Sequence, residues 1–286
     1  MEGLVLKGIG GFYYVKTADG TVTECRARGR FRKEGSVPMV GDHVLVENGM
    51  LSGILPRRNA LTRPFVANAD RLLVTLSLSR PKPDLVLADK LLLSALVKGI
   101  APVLVLTKAD EADPAILRAC TRDYAAHFPV FTVSSLTGEG IPALAEALRS
   151  GVTCLAGQSA AGKSSLLNAL LPGAQLETGG LAARTDRGRH TTRHAELLPY
   201  GEGYLCDTPG FSLFDPEETD QEALDACYPE FAPARGLCRF PACSHLTEPG
   251  CAVRPLVAEG MLSPGRYERY GLIRAEIEER KKHRYD

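Results

Sequence analysis

Gly157-Gln158-Ser159-Ala160-Ala161-Gly162-Lys163-Ser164-Ser165 contains a G-x-x-x-x-G-K-S loop. Glycines at its ends let successive backbone N–H groups converge on phosphate oxygens. A helix starting behind the loop would add partial positive charge. Lys163 is placed to reach the β- and γ-phosphates, and Ser164 to bind Mg²⁺. An ordinary Gly-rich turn could use the same letters. The setting argues against that: an apolar run at 152–156 leads in and a helical run at 165–171 leads out. Farther on, Asp207-Thr208-Pro209-Gly210 follows the apolar segment 203–206. It offers an acid for the same Mg²⁺ and a glycine N–H for the γ-phosphate. The polar stretch 179–193 lies between them, with no helical or strand period. Its Thr191 and Thr192 are candidates for a switch that closes on metal and phosphate.

Thr107-Lys108-Ala109-Asp110 closes another apolar run, 103–106, and resembles the guanine-reading loop of GTPases. A carboxylate at Asp110 can accept both N1–H and N2–H₂ of guanine, a donor pair that adenine lacks. Lys108 can pack over the ring. Ser134 and Ser135 follow the run 130–133, as the second base loop of a GTPase does; Leu136 stands where that loop usually has Lys. The implied ligands are GTP and GDP with Mg²⁺. In an ordinary GTPase the phosphate loop precedes the base loops. Here it follows them, so the domain is expected to be circularly permuted.

A third group is Cys238-x4-Cys243-x-His245-x5-Cys251, four soft donors within fourteen residues. Cys₃His is a common closed zinc set, which predicts one structural Zn²⁺ per chain. The competing reading is buried thiols beside a surface histidine. The other cysteines of the eight are scattered, which suggests a reducing, cytoplasmic compartment over a disulfide scaffold.

Three kinds of element must position these groups. Alternating segments at 4–9, 12–16, 21–27, 43–47 and 51–55, broken by Gly10-Gly11, Asp19-Gly20 and Asn48-Gly49, predict a small β-barrel of OB-fold type. Apolar runs at 72–76, 103–106, 130–133 and 152–156 alternate with helical patterns at 85–98, 114–127 and 141–148. That predicts a parallel sheet covered on both faces. Beyond residue 216 the strand signal fades, with helices expected at 221–227 and 267–284 around a Pro/Cys-rich knot. The fold class is therefore multidomain: an OB-fold barrel at 1–65, a permuted α/β P-loop domain at 66–216, and a mainly helical zinc-binding region at 217–286. Lys plus Arg and Asp plus Glu both number 34, so net charge names no partner. No apolar stretch approaches the roughly 20 residues needed to cross a bilayer, and no membrane partner is expected.

The motifs GGFYYVKT, RARGRFRKEG, VGDHV, TKAD, GQSAAGKSS, GRHTTRH, DTPGF and CRFPACSHLTEPGC together resemble one family. It is the bacterial ribosome small-subunit-dependent GTPase A. That family often has Asn where Thr107 stands and Gly-Val at Ala160-Ala161. The resemblance implies a weak intrinsic GTPase stimulated by the small ribosomal subunit late in that subunit's maturation. The partners would be the subunit and its RNA, with the protein a monomer. It also implies that His190 positions the attacking water, because Phe211 occupies the place of the usual Gln. A surface loop histidine is the competing reading. Arg26, Arg28, Arg30 and Arg32 would share one face of an extended segment and suit phosphate contacts, or form a solvated face. Residues 1–65 hold ten Lys/Arg against six Asp/Glu. Two functions follow: an enzyme that times its release by hydrolysis, or an RNA-docking scaffold whose nucleotide site hardly turns over.

Overall fold

The computed structural model describes residues 1–27, 29, 31, 36–62, 65–172, 195–207 and 221–283. Strands β1 (Glu2–Ile9), β2 (Phe12–Thr17), β3 (Val22–Ala27), β4 (His43–Glu47) and β5 (Met50–Ile54) lie in the order 1-2-3-5-4. Pairing of β1 with β4 closes the ring, and β3 runs parallel to β5. This is the expected five-stranded barrel. Alternation fills its interior with Val5, Val15, Cys25, Val44, Val46 and Leu51. The β4–β5 hairpin turns through Asn48 (φ 50°) and Gly49 (φ 72°), the left-handed pair that a tight two-residue turn demands.

A two-stranded hairpin, β6 (Ala60–Thr62) and β7 (Phe65–Ala67), leads into the second sheet. There β8 (Arg71–Ser77), β9 (Ala101–Thr107), β10 (Val130–Thr132), β11 (Val152–Gly157) and β13 (Gly203–Asp207) pair in parallel in the order 10-9-8-11-13. Successive side chains point to opposite faces. Leu72, Val74, Leu104, Leu106 and Cys154 pack under helices α1 (Leu85–Val97) and α2 (Pro114–Tyr124). Leu73, Val103, Val105 and Leu155 pack under α3 (Ile141–Ala147) and α4 (Lys163–Leu170). Both faces are covered, as the unbroken apolar runs require.

Strand β12 (Glu196–Tyr200) has no counterpart in the sequence reading. Pro199 hides it, because proline cannot donate to a ladder. It pairs antiparallel with β13, and at Glu196 its other side meets Lys7 of β1. Among the described residues only that end of β12 is paired on both sides, so the missing N–H of Pro199 costs little. The barrel and the parallel sheet thereby become one continuous sheet of eleven strands among the described residues.

The C-terminal region contains α5 (Gln221–Ala226), a 3₁₀ turn at Pro229–Ala234, α6 (Arg254–Ala258) and the long α7 (Pro264–His283). Its core of Leu224, Tyr228, Phe231, Tyr270 and Ile273 also takes in Leu93 from α1. Leu91 and Leu92 of the same helix face the parallel sheet. A helix apolar on several sides must be buried on several sides, and α1 is the wall shared by two cores. The seam is also ionic. Arg266 pairs with Asp89 (2.7 Å) and Glu230 (2.7 Å), and Arg269 with Asp89 (2.6 Å) and Asp123 (3.0 Å). All five side chains are less than a tenth exposed. No helix among the described residues is long and apolar enough to cross a membrane.

Candidate functional site

The phosphate loop leaves β11 at Gly157 and enters α4 at Lys163. Gly157 has φ 137°, and a Cβ there would lie 2.4 Å from Thr75 Oγ1, so close packing against β8 requires glycine. Gly162 (φ 91°) caps the helix. Ala160 sits at φ 60°, a left-handed backbone that costs an L-residue about 1–2 kcal/mol. Lys163 Nζ donates to the carbonyls of Gly157 and Gln158, both at 2.7 Å. Burial lowers its pKa below the ordinary lysine value. Ser164 is half-buried in the first helical turn; Ser159 and Ser165 are exposed. The Gln158 side chain accepts from the backbone N–H of Asp84 (3.2 Å), the residue that caps α1.

The base loop begins at Thr107, whose hydroxyl is buried between the carbonyls of Ala161 (2.6 Å) and Leu76 (3.1 Å). Its single proton favours the shorter partner. Thr107 thus fastens the base loop to the phosphate loop. Lys108 follows in a left-handed conformation (φ 59°), and its ammonium donates to the Arg80 carbonyl. Ala109 opens a single 3₁₀ turn that carries Asp110. The Asp110 carboxylate accepts from Ser134 Oγ at 2.5 Å. Ser134 is fully buried, and the same Oγ accepts from the N–H groups of Leu136 and Thr137. Ser134 therefore aims the carboxylate from beneath. Ser135 and Leu136 reach the cavity itself.

That cavity has a volume of about 510 Å³ and brings Lys108, Asp110, Ser135, Gly162 and Ser165 to one space. Residues from 108 to 165 thus converge as the permuted order predicts. Asn168 also lines it and was missed from sequence. It stands three residues beyond Ser165, on the same helical face, so helical periodicity could have found it.

Asp207 ends β13, its backbone paired with Glu196. His190, Thr191, Thr192, Gly210 and Phe211 lie outside the described residues, as do Arg28, Arg30 and Arg32. Arg26 is described; its guanidinium lies over the Phe12 ring at 4.6 Å.

Cys238, Cys243, His245 and Cys251 bring one donor atom each within 4.8 Å of one another. The His245 Nδ1 atom is 3.5 Å from Cys238 Sγ and 3.7 Å from Cys251 Sγ. A zinc tetrahedron with Zn–S about 2.3 Å and Zn–N about 2.0–2.1 Å has edges of about 3.6–3.8 Å. The set fits a tetrahedral metal ion. Asp225 was not foreseen. Its Oδ2 lies 3.4 Å from His245 Nε2 and can fix the ring with Nδ1 free to ligate. Glu248 accepts from the backbone and hydroxyl of Ser244 (2.7 and 2.6 Å). Those bonds hold its carboxyl down to about 2.

Comparison with known proteins finds matches along most of the chain. The family model described as RsgA GTPase matches residues 54–217, and that described as RsgA N-terminal domain matches residues 2–50. The small ribosomal subunit biogenesis GTPase RsgA of Clostridium perfringens (strain SM101 / Type A) is 42% identical over 277 residues. That match covers 94% of this chain and 96% of the relative. The protein of the same name from Agathobacter rectalis is 38% identical over 302 residues, covering 99% of this chain and all (100%) of the relative. The crystal structure of YjeQ from Thermotoga maritima superposes with a TM-score of 0.84 at 32% identity, covering 96% of this chain and 98% of its own. YloQ, a circularly permuted GTPase, gives 0.80 at 33%, covering 98% and 95%.

Proposed function

The chain belongs to the RsgA GTPase family, and from that premise we propose that it hydrolyses GTP on the maturing small ribosomal subunit and is released by hydrolysis. One observation carries the guanine assignment: a carboxylate at Asp110, aimed by buried Ser134, opens on the cavity that also holds the end of the phosphate loop. Lys163 would shift its N–H donors from loop carbonyls to the β- and γ-phosphates, and Ser164 with Asp207 would hold Mg²⁺. The test is GTP turnover with and without purified small subunits. Stimulation by the subunit and indifference to ATP are expected. Slow turnover in both conditions would favour the scaffold reading, which Phe211 in the place of a water-orienting Gln supports.

On the subunit, His190 is assigned to position the attacking water, and Thr191 or Thr192 to close over the γ-phosphate. His190→Ala is expected to lower the stimulated single-turnover rate by about a hundredfold or more while GTP binding and docking persist. A wild-type rate in that variant would place water orientation elsewhere, in the subunit itself.

Three further assignments belong to the same reading. First, a Zn²⁺ ion is held by Cys238, Cys243, His245 and Cys251, where it ties the knot together and takes no part in hydrolysis. Elemental analysis should give one zinc per chain. Cys243→Ser should release it and loosen the C-terminal core while GTP binding survives; zinc-free protein with an intact C-terminal core would overturn the assignment. Second, the barrel and the stripe Arg26, Arg28, Arg30 and Arg32 contact ribosomal RNA as a cytoplasmic monomer. Third, nucleotide state reaches the barrel through one ladder. Asp207 pairs with Glu196, whose backbone pairs with Lys7 of β1 and whose carboxylate meets Lys7 Nζ at 2.6 Å.

A further inference from the structure

We propose that the exposed loop 235–242 of the metal-binding region captures an unstacked nucleobase of single-stranded RNA. This rests on the reading that the chain docks on ribosomal RNA, and it assigns a second contact surface far along the chain from the arginine stripe.

The loop carries Arg235, Leu237, Arg239 and Phe240, all exposed. Leu237 is 69% exposed and Phe240 42% exposed, so both apolar side chains are open to a partner. The Arg239 guanidinium lies 5.6 Å from the Phe240 ring. Arg235, Arg239 and Phe240, but not Leu237, line a cavity of about 580 Å³ together with Phe231 and Val253. Cys238, Cys243 and His245 line the same cavity, so the metal site and the exposed loop share it.

The surface is held in shape. Cys238 and Cys243 bracket residues 239–242, so both ends of that segment belong to the donor set. The backbone N–H of Arg239 donates to Gly250 O (3.0 Å), and that of Cys243 to Phe240 O (3.2 Å). An aromatic ring presented on a braced loop loses little entropy when a planar partner stacks on it.

Charge selects the partner. From Phe231 to Thr247 the chain has two arginines and no acid. Asp225 also lines the cavity, but it faces His245 and accepts from Tyr270 OH at 2.7 Å. Glu248 is engaged by Ser244. Arg235 donates to the Ala226 carbonyl (2.9 Å), so the guanidinium beside the ring is that of Arg239. An aromatic face next to a guanidinium matches a base with its phosphate. A duplex keeps its bases stacked and offers no such face.

The chain contains no tryptophan, so Phe240→Trp installs a single reporter. In the zinc-loaded full-length protein, a single-stranded oligouridylate should quench its fluorescence, and a blunt RNA duplex of equal charge should not. Phe240→Ala and Phe240→Leu should each weaken oligouridylate binding about tenfold, with zinc content unchanged. Lack of quenching, or equal quenching by the duplex, overturns the proposal. If Phe240→Ala weakens small-subunit binding but not oligouridylate binding, the occupant is a ribosomal protein and the RNA assignment fails. Subunits bound normally by all variants would leave the proposed function standing and remove this site. Oligouridylate quenching in a protein that ignores subunits would do the reverse.

Discussion

Asp110→Asn is expected to lower GTP affinity by about a hundredfold or more and to move preference toward xanthosine triphosphate. Guanine's N1–H and N2–H₂ would both donate to the Asp110 carboxylate, and each hydrogen bond to a charged acceptor contributes about 1.5–3 kcal/mol. Asn keeps one acceptor and turns a donor toward the base, where xanthine offers an oxygen. The surroundings favour a clean exchange, because Ser134 Oγ, 2.5 Å from Asp110, can still donate to the Asn carbonyl. Ser134→Ala should cost less, about tenfold, since it frees the carboxylate to rotate without removing it. Competition among GTP, ATP and xanthosine triphosphate measures both. Unaltered GTP preference in Asp110→Asn would mean that the base is read by other groups in the cavity.

Arg269→Met is expected to destabilise the fold by about 3–5 kcal/mol, the range for stranding a buried partner. Arg269 Nε meets Asp89 at 2.6 Å, and its NH2 meets Asp123 at 3.0 Å and the Tyr124 hydroxyl at 3.3 Å. Burial opposes the Arg269 charge, but Asp89 and Tyr124 outweigh it and raise the pKa, so the cation persists at any working pH. With the guanidinium gone, Asp89 keeps Arg266, but Asp123 is left with Ser263 and the exposed Arg122. Adding Asp123→Asn to Arg269→Met should recover part of the loss, because a neutral amide costs less to bury than a carboxylate. Urea unfolding followed by circular dichroism reads both. A change under about 1 kcal/mol would show that water reaches the seam and screens it.

The motifs were legible because their chemistry is local. A phosphate loop needs glycine at fixed positions and a lysine at the helix start, and those letters are contiguous from Gly157 to Lys163. Four donors in a short knot are legible for the same reason. The supports were not. Thr107 reads as a base-loop residue, yet its hydroxyl works 54 residues away on Ala161. Asp225 reads as one acid in a short helix, and only the packing of α5 brings it to His245. The stretch 85–98 reads as a helix, but nothing in its apolar pattern says that Leu92 and Leu93 face different cores. β12 was lost to its proline. In each case the missing information is which distant surface the element meets.

The ion cluster at the α1–α7 seam has a consequence for synthesis. Asp89 lies 180 residues before Arg269. Chains are made N-terminus first at about 5–20 residues per second, so the two acids of the nucleotide domain leave the ribosome on the order of ten seconds or more before their cations. Through that interval Asp89 and Asp123 are held in water by their own hydration, and α1 cannot settle on both cores. A truncated chain that ends before residue 266 never leaves this condition. Its α1 keeps the packing of Leu91 and Leu92 on the parallel sheet but lacks the ionic seam on its other side. α7, translated long after α1, thus completes the burial of the helix whose cap, Asp84, meets the phosphate loop through Gln158.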